Sequence, residues 1–315
     1  MRRGCPQVGD PATVDIIIVS FNSGDFLGDC LDSIGCSMAP GIEMRVLVVD
    51  NASTDGTPDR AEARTDPWLR VLRNQRNLGF ATAVNVGLRE TRGAFVLLLN
   101  PDTVVSPTAI RSAVTFLQER ADAAIVSPRL VLQDGTIDAG CHRGFPTPWA
   151  SFTYLAGLER LFPKMRLFNG YHRWDLALDE VHSVDAVSGA FMLFRRDLVD
   201  RIGLFDERFF MYAEDVDFCM RAKRAGGLVY YDPREEVVHI KGTSTGIKRH
   251  SDHISRADLE TRRRALNAFY DSTKLFYDKH YAESHPRVLK WAVHGSVEVV
   301  RPFANWRLKR RMGLT

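Results

Sequence analysis

Three carboxylates lie close together in the stretch "MYAEDVDFCMRA", residues 211–222. Glu214, Asp215 and Asp217 directly follow an aromatic run. They are typical of a solvated first helical turn, where the helix dipole stabilises each acid by about 0.3–1 kcal/mol. They are equally typical of carboxylates held in a pocket to accept protons. We assign the first role to Asp217, which has an i,i+4 spacing to Arg221 on what we expect to be an exposed helix face.

Acidic side chains also occur where two predicted strands end. Asp50 closes "RVLVVD", and Asp102 lies two residues past "FVLLLN". Neither GxGxxG nor GxxxxGK[ST] follows the first predicted strand, which argues against a dehydrogenase or a P-loop enzyme. Because a carboxylate repels phosphate unless a cation intervenes, the acids predict Mg²⁺ or Mn²⁺ between Asp102 and a diphosphate.

Each of these signals also has a purely structural interpretation. Asn100 and Pro101 are ordinary turn residues at a strand end. Residues 50–55 can form an Asx-turn and a helix cap, and His239 in "EVVHIKGTSTG" can be a core or edge-strand histidine. The joint order of the signals along the chain, rather than any single one, favours a functional site.

Strands and helices alternate over the first 130 residues and must position these side chains. We predict strands at "VDIIIVSF", "MRVLVVD", "LRVLRN", "AFVLLLN" and "AAIVSP", separated by helices at 24–37, 58–64, 80–90 and 107–120. Continuous apolar strands between helices predict an α/β fold with a mainly parallel sheet covered on both faces. Ligands of such sheets bind at the carboxyl ends of the strands, where Asp50 and Asp102 fall.

The rest of the chain divides into three parts. Residues 131–183 are rich in aromatics, prolines and turn signals, and we expect an irregular insertion or a lid. A strand at "VDAVSGAFMLFRRD" and a short helix at 198–202 precede the acidic stretch. Helical spacing of apolar residues predicts a helix over 256–281, followed by a basic helical segment that Pro302 interrupts.

Composition limits the class of protein and its partners. The 315 residues are 45% hydrophobic, with apolar runs of strand length and five scattered cysteines (Cys5, Cys30, Cys36, Cys141 and Cys219) without a CxxC pair. This predicts a cytoplasmic protein with reduced thiols, no membrane span and no signal peptide.

Residues 287–311 carry seven basic side chains against Glu298 alone, so their local charge is +6 within a chain of +3. This basic tail predicts an anionic partner, either a membrane or a nucleic acid.

The motifs together resemble those of glycosyltransferase family 2, inverting nucleotide-sugar glycosyltransferases with the GT-A fold, and most closely the bacterial rhamnosyltransferases of cell-wall linker and O-antigen synthesis. The resemblance rests on "VDIIIVSFNS", "VLVVDNASTDGT", "NQRNLGFATAVNVGL", "FVLLLNPDTVV", "VSGAFMLFRRD", "FDERFFMYAEDVDFCMRAKRAG" and "VHIKGTSTG". It implies a flexible N-terminus at 1–13, a catalytic domain at 14–250 and a helical, basic extension at 251–315. Within the catalytic domain, 14–130 would be the nucleotide-sugar half and 131–250 the acceptor half.

The resemblance also implies roles on the donor side. Asp50 would contact the nucleotide base, and the metal ligands would be Asp102 and His239. Asn100 stands where many family members have the first aspartate of a DxD motif. The implied donor-binding residues are Ser20, Asn22, Asp50, Asn77, Gly79 and Asn100, with Lys248 and Arg249 on a mobile loop that reaches the diphosphate.

On the acceptor side, the resemblance makes Asp215 the general base, because it is the second acid of the family's ED-x-D element. Glu214 and Asp217 would support it. The implied acceptor-binding residues are Gly189, Ala190, Tyr212 and Glu214. An aromatic wall suits a sugar acceptor better than it suits a solvated acid.

The implied reaction is a metal-dependent, inverting sugar transfer in cell-envelope polysaccharide synthesis. We expect L-rhamnose from dTDP-rhamnose to move to a saccharide or glycolipid, with a polyprenyl-diphosphate-linked acceptor and an enzyme that is peripheral at the inner face of the plasma membrane. Two alternatives remain open: a sugar nucleotidyltransferase, which shares the edge acids and Mg²⁺, and a nucleic-acid-binding module acting through the basic tail. Because that tail carries no recognised reading motif, we expect no nucleic-acid partner. The sequence leaves the oligomeric state open, a homodimer included.

Overall fold

The computed structural model describes residues 12–38, 40–240, 242 and 257–313. Its strands are β1 Ala12–Ser20, β2 Ile42–Asp50, β3 Leu69–Arg73, β4 Phe95–Leu99, β5 Thr103–Val105, β6 Ala123–Val131, β7 His182–Val184, β8 Phe191–Arg195 and β9 Leu228–His239. Its helices are α1 Phe26–Ser37, α2 Thr57–Glu62, α3 Phe80–Glu90, α4 Ala109–Glu119, α5 Pro148–Leu155, α6 Leu158–Leu161, α7 Arg196–Ile202, α8 Glu214–Arg224, α9 Leu259–His280 and α10 Arg287–Arg311. A 3-10 helix covers Ala139–Cys141.

Within the described ranges the strands form one sheet in the order β3-β2-β1-β4-β8-β6-β9-β5, with β7 also paired to β9. Strands β1 to β4 are parallel, as predicted. Strand β8 is antiparallel to β4 and β6, and β5 and β7 are antiparallel to β9. The sheet is therefore mixed beyond β4, and the predicted α/β fold class is confirmed.

The core lies along the central strands. The apolar runs at 16–18, 46–49 and 95–99 are buried throughout, and burying each such side chain stabilises the fold by about 1.5–3 kcal/mol. Helix α3 packs on β1 and β2, and α4 packs on β6 and β9. These strands are buried because helices cover them, which explains why they read as continuous apolar runs rather than as alternating ones.

Two pairings bring the polar side chains to one edge. Ser20 at the end of β1 is opposite Asp50 at the end of β2. Strand β5 then runs antiparallel to β9, so that Thr103 is opposite His239. This register places Asp102, the residue before β5, beside the histidine.

The middle and C-terminal parts contain more helix than the sequence patterns suggested. Residues 131–183 are largely turns, as expected, but include the 3-10 helix, α5 and α6. Helix α9 falls within the predicted 256–281. Helix α10 runs through Pro302 without a break, so the predicted interruption is wrong. A proline removes only one backbone hydrogen bond, and α10 is also held by packing along α9.

Candidate active site

Polar side chains lie where β1 and β2 end. Ser20 Oγ lies 3.0 Å from Ser23 Oγ, and the Asp50 Oδ2 atom accepts a hydrogen bond from the Ser53 backbone at 3.0 Å. Asp50 is only 2% exposed, and its Oδ1 atom has no hydrogen-bond partner among the residues that the structure describes. A buried oxygen without a donor is costly, so this atom is suited to receive a donor group from a ligand.

Asn22 joins the loops that follow these two strands. Its backbone is in the left-handed region, with φ of 48°. Its N–H donates to Ser53 Oγ at 2.8 Å, and its side-chain oxygen accepts from the Thr54 backbone at 2.8 Å. Asn22 therefore shapes the loop after β2 that carries the polar groups next to Asp50.

Asn51 is a residue that the sequence analysis missed. Its Nδ2 donates to Asn77 Oδ1 at 3.0 Å and to the Gly79 carbonyl at 3.2 Å, and its Oδ1 accepts from the Leu78 backbone at 3.0 Å. Asn51 thus fixes the loop that carries Asn77 and Gly79, two of the residues predicted to bind the nucleotide-sugar donor. Its position directly after Asp50, in "VVDNAST", is the signal that could have identified it.

Gly79 meets a second segment of the chain. Its φ is 86° and its ψ 169°, a region that is essentially restricted to glycine. A Cβ atom there would lie 2.5 Å from the Phe210 carbonyl oxygen, and this same oxygen accepts from the Phe80 backbone at 2.7 Å. Gly79 is therefore required for the donor-side loop to approach the segment that leads into α8.

Asp102 and His239, the two predicted metal ligands, are neighbours. The Nε2 atom of His239 lies 3.4 Å from Asp102 Oδ1 and 3.5 Å from Asn100 Nδ2. Both predicted ligands are buried. His239 is 137 residues from Asp102 and 139 from Asn100. The pairing of β5 with β9 brings it beside them.

Asp138 is a further residue that sequence reasoning did not identify. Its Oδ2 lies 2.8 Å from His239 Nδ1, while its Oδ1 accepts from the Gly140 backbone and so caps the 3-10 helix. Burial opposes protonation of His239, but the carboxylates of Asp102 and Asp138 outweigh it and raise the pKa of the histidine to about 9. The same negative charge would also stabilise a metal cation beside Nε2, where the cation would replace the proton of the imidazole.

These side chains fit a partly hydrated divalent cation rather than a closed protein cage. In the described part of the chain, no group of three His, Cys, Asp or Glu side chains is arranged to hold a metal ion. Two ligands about 2.1 Å from Mg²⁺ are about 3 Å apart when adjacent, close to the observed separation of Asp102 and His239. Asp138 would then orient the histidine from behind, as carboxylates commonly do for metal-bound imidazoles. The remaining ligands would be water and a donor diphosphate.

Asp215 is held by an arginine from the middle segment. Its Oδ2 lies 2.6 Å from Arg143 Nη2, and its Oδ1 accepts from the Val216 backbone at 2.7 Å. Both side chains are largely buried. Burial opposes the charge on Arg143, yet the contact with Asp215 raises the pKa of the arginine overall. Sequence reasoning missed Arg143 because nothing in "CHRGFP" shows that it pairs with a residue 72 positions away.

Glu214 lies in a strongly apolar position at the start of α8. Burial, followed by repulsion from Asp215, raises the pKa of its carboxyl to about 8. Its Oε2 atom has no hydrogen-bond partner among the described residues. At neutral pH this side chain is therefore largely protonated.

Asp217 does not occupy the exposed helix face that we expected. Its side chain is fully buried and contacts Arg221 at 2.8 Å, Lys279 at 2.6 Å and His280 at 2.7 Å. Burial would raise the pKa of Asp217, but the bonds from His280 and Lys279 lower it overall. The i,i+4 spacing to Arg221 was correct, whereas the exposed position was wrong because α9 covers this part of α8.

The predicted acceptor-side residues form the approach to α8. Tyr212 and Ala213 both have positive φ, 72° and 65°, an unusual and strained conformation for two consecutive non-glycine residues. Gly189 packs against the Phe80 ring, and the Ala190 carbonyl accepts from the Asn100 backbone at 3.1 Å. These contacts join the loop before β8 to the donor side. Lys248 and Arg249 lie outside the described residues.

The chain belongs to glycosyl transferase family 2, because residues 15–203, more than half of its length, match that family. It is therefore a glycosyltransferase, and the family assignment favours this function over the nucleotidyltransferase and nucleic-acid-binding alternatives. It is 31% identical, over 293 residues, to the N-acetylglucosaminyl-diphospho-decaprenol L-rhamnosyltransferase of Mycobacterium tuberculosis. That alignment covers 90% of this chain and 89% of the relative.

Solved structures support the fold. The mannosyltransferase PcManGT from Pyrobaculum calidifontis, in complex with GDP-Man and Mn²⁺, is similar with a TM-score of 0.55 and 19% identity, covering 94% of this chain and 73% of that one. Residues 1–349 of S. aureus TarS are similar with a TM-score of 0.53 and 18% identity, covering 96% of this chain and 92% of that one. These likenesses confirm the predicted GT-A fold with a helical C-terminal region.

Proposed function

We propose that this chain transfers L-rhamnose from dTDP-rhamnose, with inversion, to a hydroxyl of a polyprenyl-diphosphate-linked saccharide in cell-envelope synthesis. The mycobacterial relative, which is named as a decaprenol-linked L-rhamnosyltransferase and aligns over nearly the whole chain, supports the sugar and the lipid-linked acceptor. No helix in the described ranges is both long and apolar enough to cross a bilayer. The proposal therefore includes peripheral attachment to the membrane that holds the acceptor.

One observation carries the chemistry. The segment 138–143 contacts the metal-ligand pair at one end, through Asp138 and His239, and the proposed base at the other, through Arg143 and Asp215. Five residue steps span at most about 18 Å, and the 3-10 helix shortens this further. A nucleotide-sugar diphosphate at the first point and an acceptor hydroxyl at the second would therefore lie within one short segment of each other, which supports placing both substrates in one site.

In the proposed reaction, Asp215 accepts the proton of the acceptor hydroxyl as its oxygen attacks the anomeric carbon. The diphosphate leaves from the opposite face, so that the configuration inverts. Arg143 holds the Asp215 carboxylate in a fixed orientation, and the carboxylate keeps free lone pairs for the incoming hydroxyl. Glu214, largely protonated, can donate a hydrogen bond to the acceptor.

We place the donor nucleotide at the carboxyl ends of β1 and β2. Asp50 receives an N–H of the nucleotide base at its unpaired Oδ1, with Ser20, Asn22, Asn77 and Gly79 forming the surrounding loops. Asp102 and His239 would hold Mg²⁺ or Mn²⁺, and such a cation supplies charge neutralisation at the diphosphate. Asn100 lies beside this pair.

The base assignment is tested with Asp215→Asn. We expect acceptor-dependent transfer to fall by about 10²- to 10⁴-fold, while the calorimetric affinity for dTDP-rhamnose stays near the parent value. Asp197→Asn, on the exposed surface of α7, is the control and should retain activity. Near-parental turnover of Asp215→Asn would show that the base lies elsewhere.

The donor and metal assignments are tested without an acceptor. Thermal shifts are measured with dTDP-rhamnose, UDP-N-acetylglucosamine and GDP-mannose, each with Mn²⁺ or with chelator. We expect the largest shift with dTDP-rhamnose and Mn²⁺, and its loss in Asp102→Ala, because the diphosphate would then face uncompensated acids. A chelator-insensitive shift that Asp102→Ala retains would contradict the metal site.

The basic tail is one candidate for membrane attachment. Trp291, Phe303 and Trp306 of α10 are each about half exposed or more, whereas Val297 is buried against the rest of the protein. The tail thus packs on the domain and still presents aromatic and basic side chains outward, a composition suited to an anionic interface. Deletion from Pro286 should lower binding to anionic liposomes and leave donor binding intact.

A further inference from the structure

A second exposed apolar surface lies in the middle of the chain. Eight large apolar side chains between positions 149 and 167 are exposed, among them Leu155 at 80%, Leu161 at 70% and Leu167 at 59%. We call residues 148–168, which include α5 and α6, the apolar platform. Contiguous apolar exposure of this kind usually indicates a binding surface for a membrane, a ligand or another protein.

The apolar platform is held in shape by hydrogen bonds within the segment and at its ends. The Trp149 indole donates to the Leu167 carbonyl at 2.8 Å, and Asn169 donates to the Phe162 carbonyl at 2.7 Å. Thr147 caps α5 by accepting from the Ala150 backbone. The outward direction of the apolar side chains is therefore a feature of the fold.

The charge of the apolar platform has one sign. Arg160, Lys164 and Arg166 are exposed, and the single acid of residues 148–168, Glu159, is buried with its Oε1 atom 2.7 Å from His172 Nδ1. A surface with protruding leucines and exposed cations, and with no exposed acid, complements an anionic bilayer. A protein partner would need a matching acidic and apolar face, for which nothing in this chain argues.

The apolar platform is connected through a short stretch of chain to the proposed general base. The Gly144 backbone donates to the Tyr171 carbonyl at 2.7 Å and so closes the segment that contains the platform. The preceding residue, Arg143, contacts Asp215 at 2.6 Å. A membrane bound at the platform would therefore contact the same segment that holds the Asp215 carboxylate.

We propose that the apolar platform is a membrane-docking surface, with Leu155 and Leu161 entering the headgroup region of an anionic bilayer and Arg160, Lys164 and Arg166 contacting lipid phosphates. This inference rests on the proposed function, since it explains how a lipid-linked acceptor meets Asp215. It assigns membrane binding to the middle segment in addition to the tail.

The experiment is vesicle co-sedimentation with the full chain. Vesicles are phosphatidylcholine alone, or phosphatidylcholine with a quarter of phosphatidylglycerol. We expect binding to the anionic vesicles and at least a tenfold loss of it in Leu155→Ser/Leu161→Ser. The control is Asp197→Ser/Arg201→Ser, which changes two exposed side chains of α7, outside both the apolar platform and the basic tail, and should retain the binding.

Each outcome decides the proposal. Full binding by Leu155→Ser/Leu161→Ser, equal binding of the parent to both vesicle types, or no binding to either overturns it, the last favouring a protein partner for the surface. Arg160→Glu/Arg166→Glu should weaken binding to anionic vesicles alone. An unchanged melting temperature and donor thermal shift show that each variant is folded. A parent without any donor shift refutes the proposed function independently of the vesicle result.

Discussion

The two sides of the site differ in how their polar side chains are held. On the donor side, Asn22, Asn51 and Asn77 are fixed by neutral hydrogen bonds within and between the loops that follow β1, β2 and β3. On the acceptor side, Asp215 and Asp217 are fixed by buried ion pairs to residues 72 and 62 positions away. Both kinds of contact produce a rigid site.

The difference affects what happens when a contact is removed. Losing one neutral hydrogen bond costs about 0.5–1.5 kcal/mol, since water can replace much of it. Losing one partner of a buried ion pair leaves an uncompensated charge and costs about 3–5 kcal/mol. The acceptor side should therefore be more sensitive to single charge changes than the donor side.

The largest effect is expected at Asp217. Asp217→Asn removes the buried carboxylate that Arg221, Lys279 and His280 share. Lys279 keeps its contact with Asp206, but the other two lose their acid, so we expect a loss of about 3–5 kcal/mol in unfolding free energy. Asp197→Asn is the matched control, because Asp197 forms the same i,i+4 pair with Arg201 at 3.7 Å on an exposed face. Urea denaturation measures both, and losses of equal size would contradict the comparison.

On the donor side, the most sensitive position is Gly79, where the backbone conformation rather than a charge is constrained. The matched control is Gly203, outside the donor side, with φ of 79° and ψ of 176°, close to the angles of Gly79. Nothing lies within 4 Å of a Cβ atom added to Gly203. Gly203→Ala should cost only the backbone strain, about 1–3 kcal/mol. Gly79→Ala should cost more, because it also meets the Phe210 carbonyl, and it should lower donor affinity. Thermal unfolding and calorimetry test this, and equal stability losses would argue against the Phe210 contact.

A smaller effect is expected from Asp138. Asp138→Asn leaves His239 in place but weakens its orientation, and loss of such an outer partner typically lowers metal affinity by about 10- to 100-fold. The measurement is Mn²⁺ binding by calorimetry in the presence of dTDP. Asp134→Asn, in the exposed turn "QDGT", is the control in the same segment. Unchanged Mn²⁺ affinity in Asp138→Asn would separate this acid from the metal site.

The effect expected from Glu214 depends on pH, and near pH 4.5 it is the smallest of these effects. The folded state holds a proton on this carboxyl up to about pH 8, whereas the unfolded chain loses it near pH 4.5, so parent stability should fall as pH rises between these values. Glu214→Gln removes this contribution and should match the parent near pH 4.5. Its advantage should then grow with pH, by at most about 1.4 kcal/mol per pH unit. Parallel stability profiles for the two proteins would show that Glu214 is ionised.

The difference between local loop contacts and long-range ion pairs also explains which features the sequence could predict. Strands β1 to β4, the helices between them and the positions of Asp50 and Asp102 follow from apolar runs and from the residues that end them. These are local patterns, and the parallel sheet brings their ends together without further information. The position of His239 beside Asp102 needed the resemblance to a family, since the pairing of β5 with β9 has no local signal.

The ion pairs were not predictable in this way. Arg143 lies in a segment without periodicity, and its partner Asp215 is determined only by the packing of that segment against α8. Asp217 was expected on an exposed face because its first turn reads as solvated, and only the docking of α9 buries it. Charged residues carry little information about their partners until the tertiary structure is known.

The contact between Asp217 and α9 also has a consequence for biosynthesis. Lys279 is made 62 residues after Asp217, an interval of about 3–12 s at a translation rate of 5–20 residues per second. During that time Asp217 has Arg221 of its own helix as a partner, but neither Lys279 nor His280 of α9. A nascent chain that ends before residue 280 therefore holds the proposed catalytic helix in an electrostatically incomplete state, and we expect the acceptor side to become fully structured only after α9 has left the ribosome.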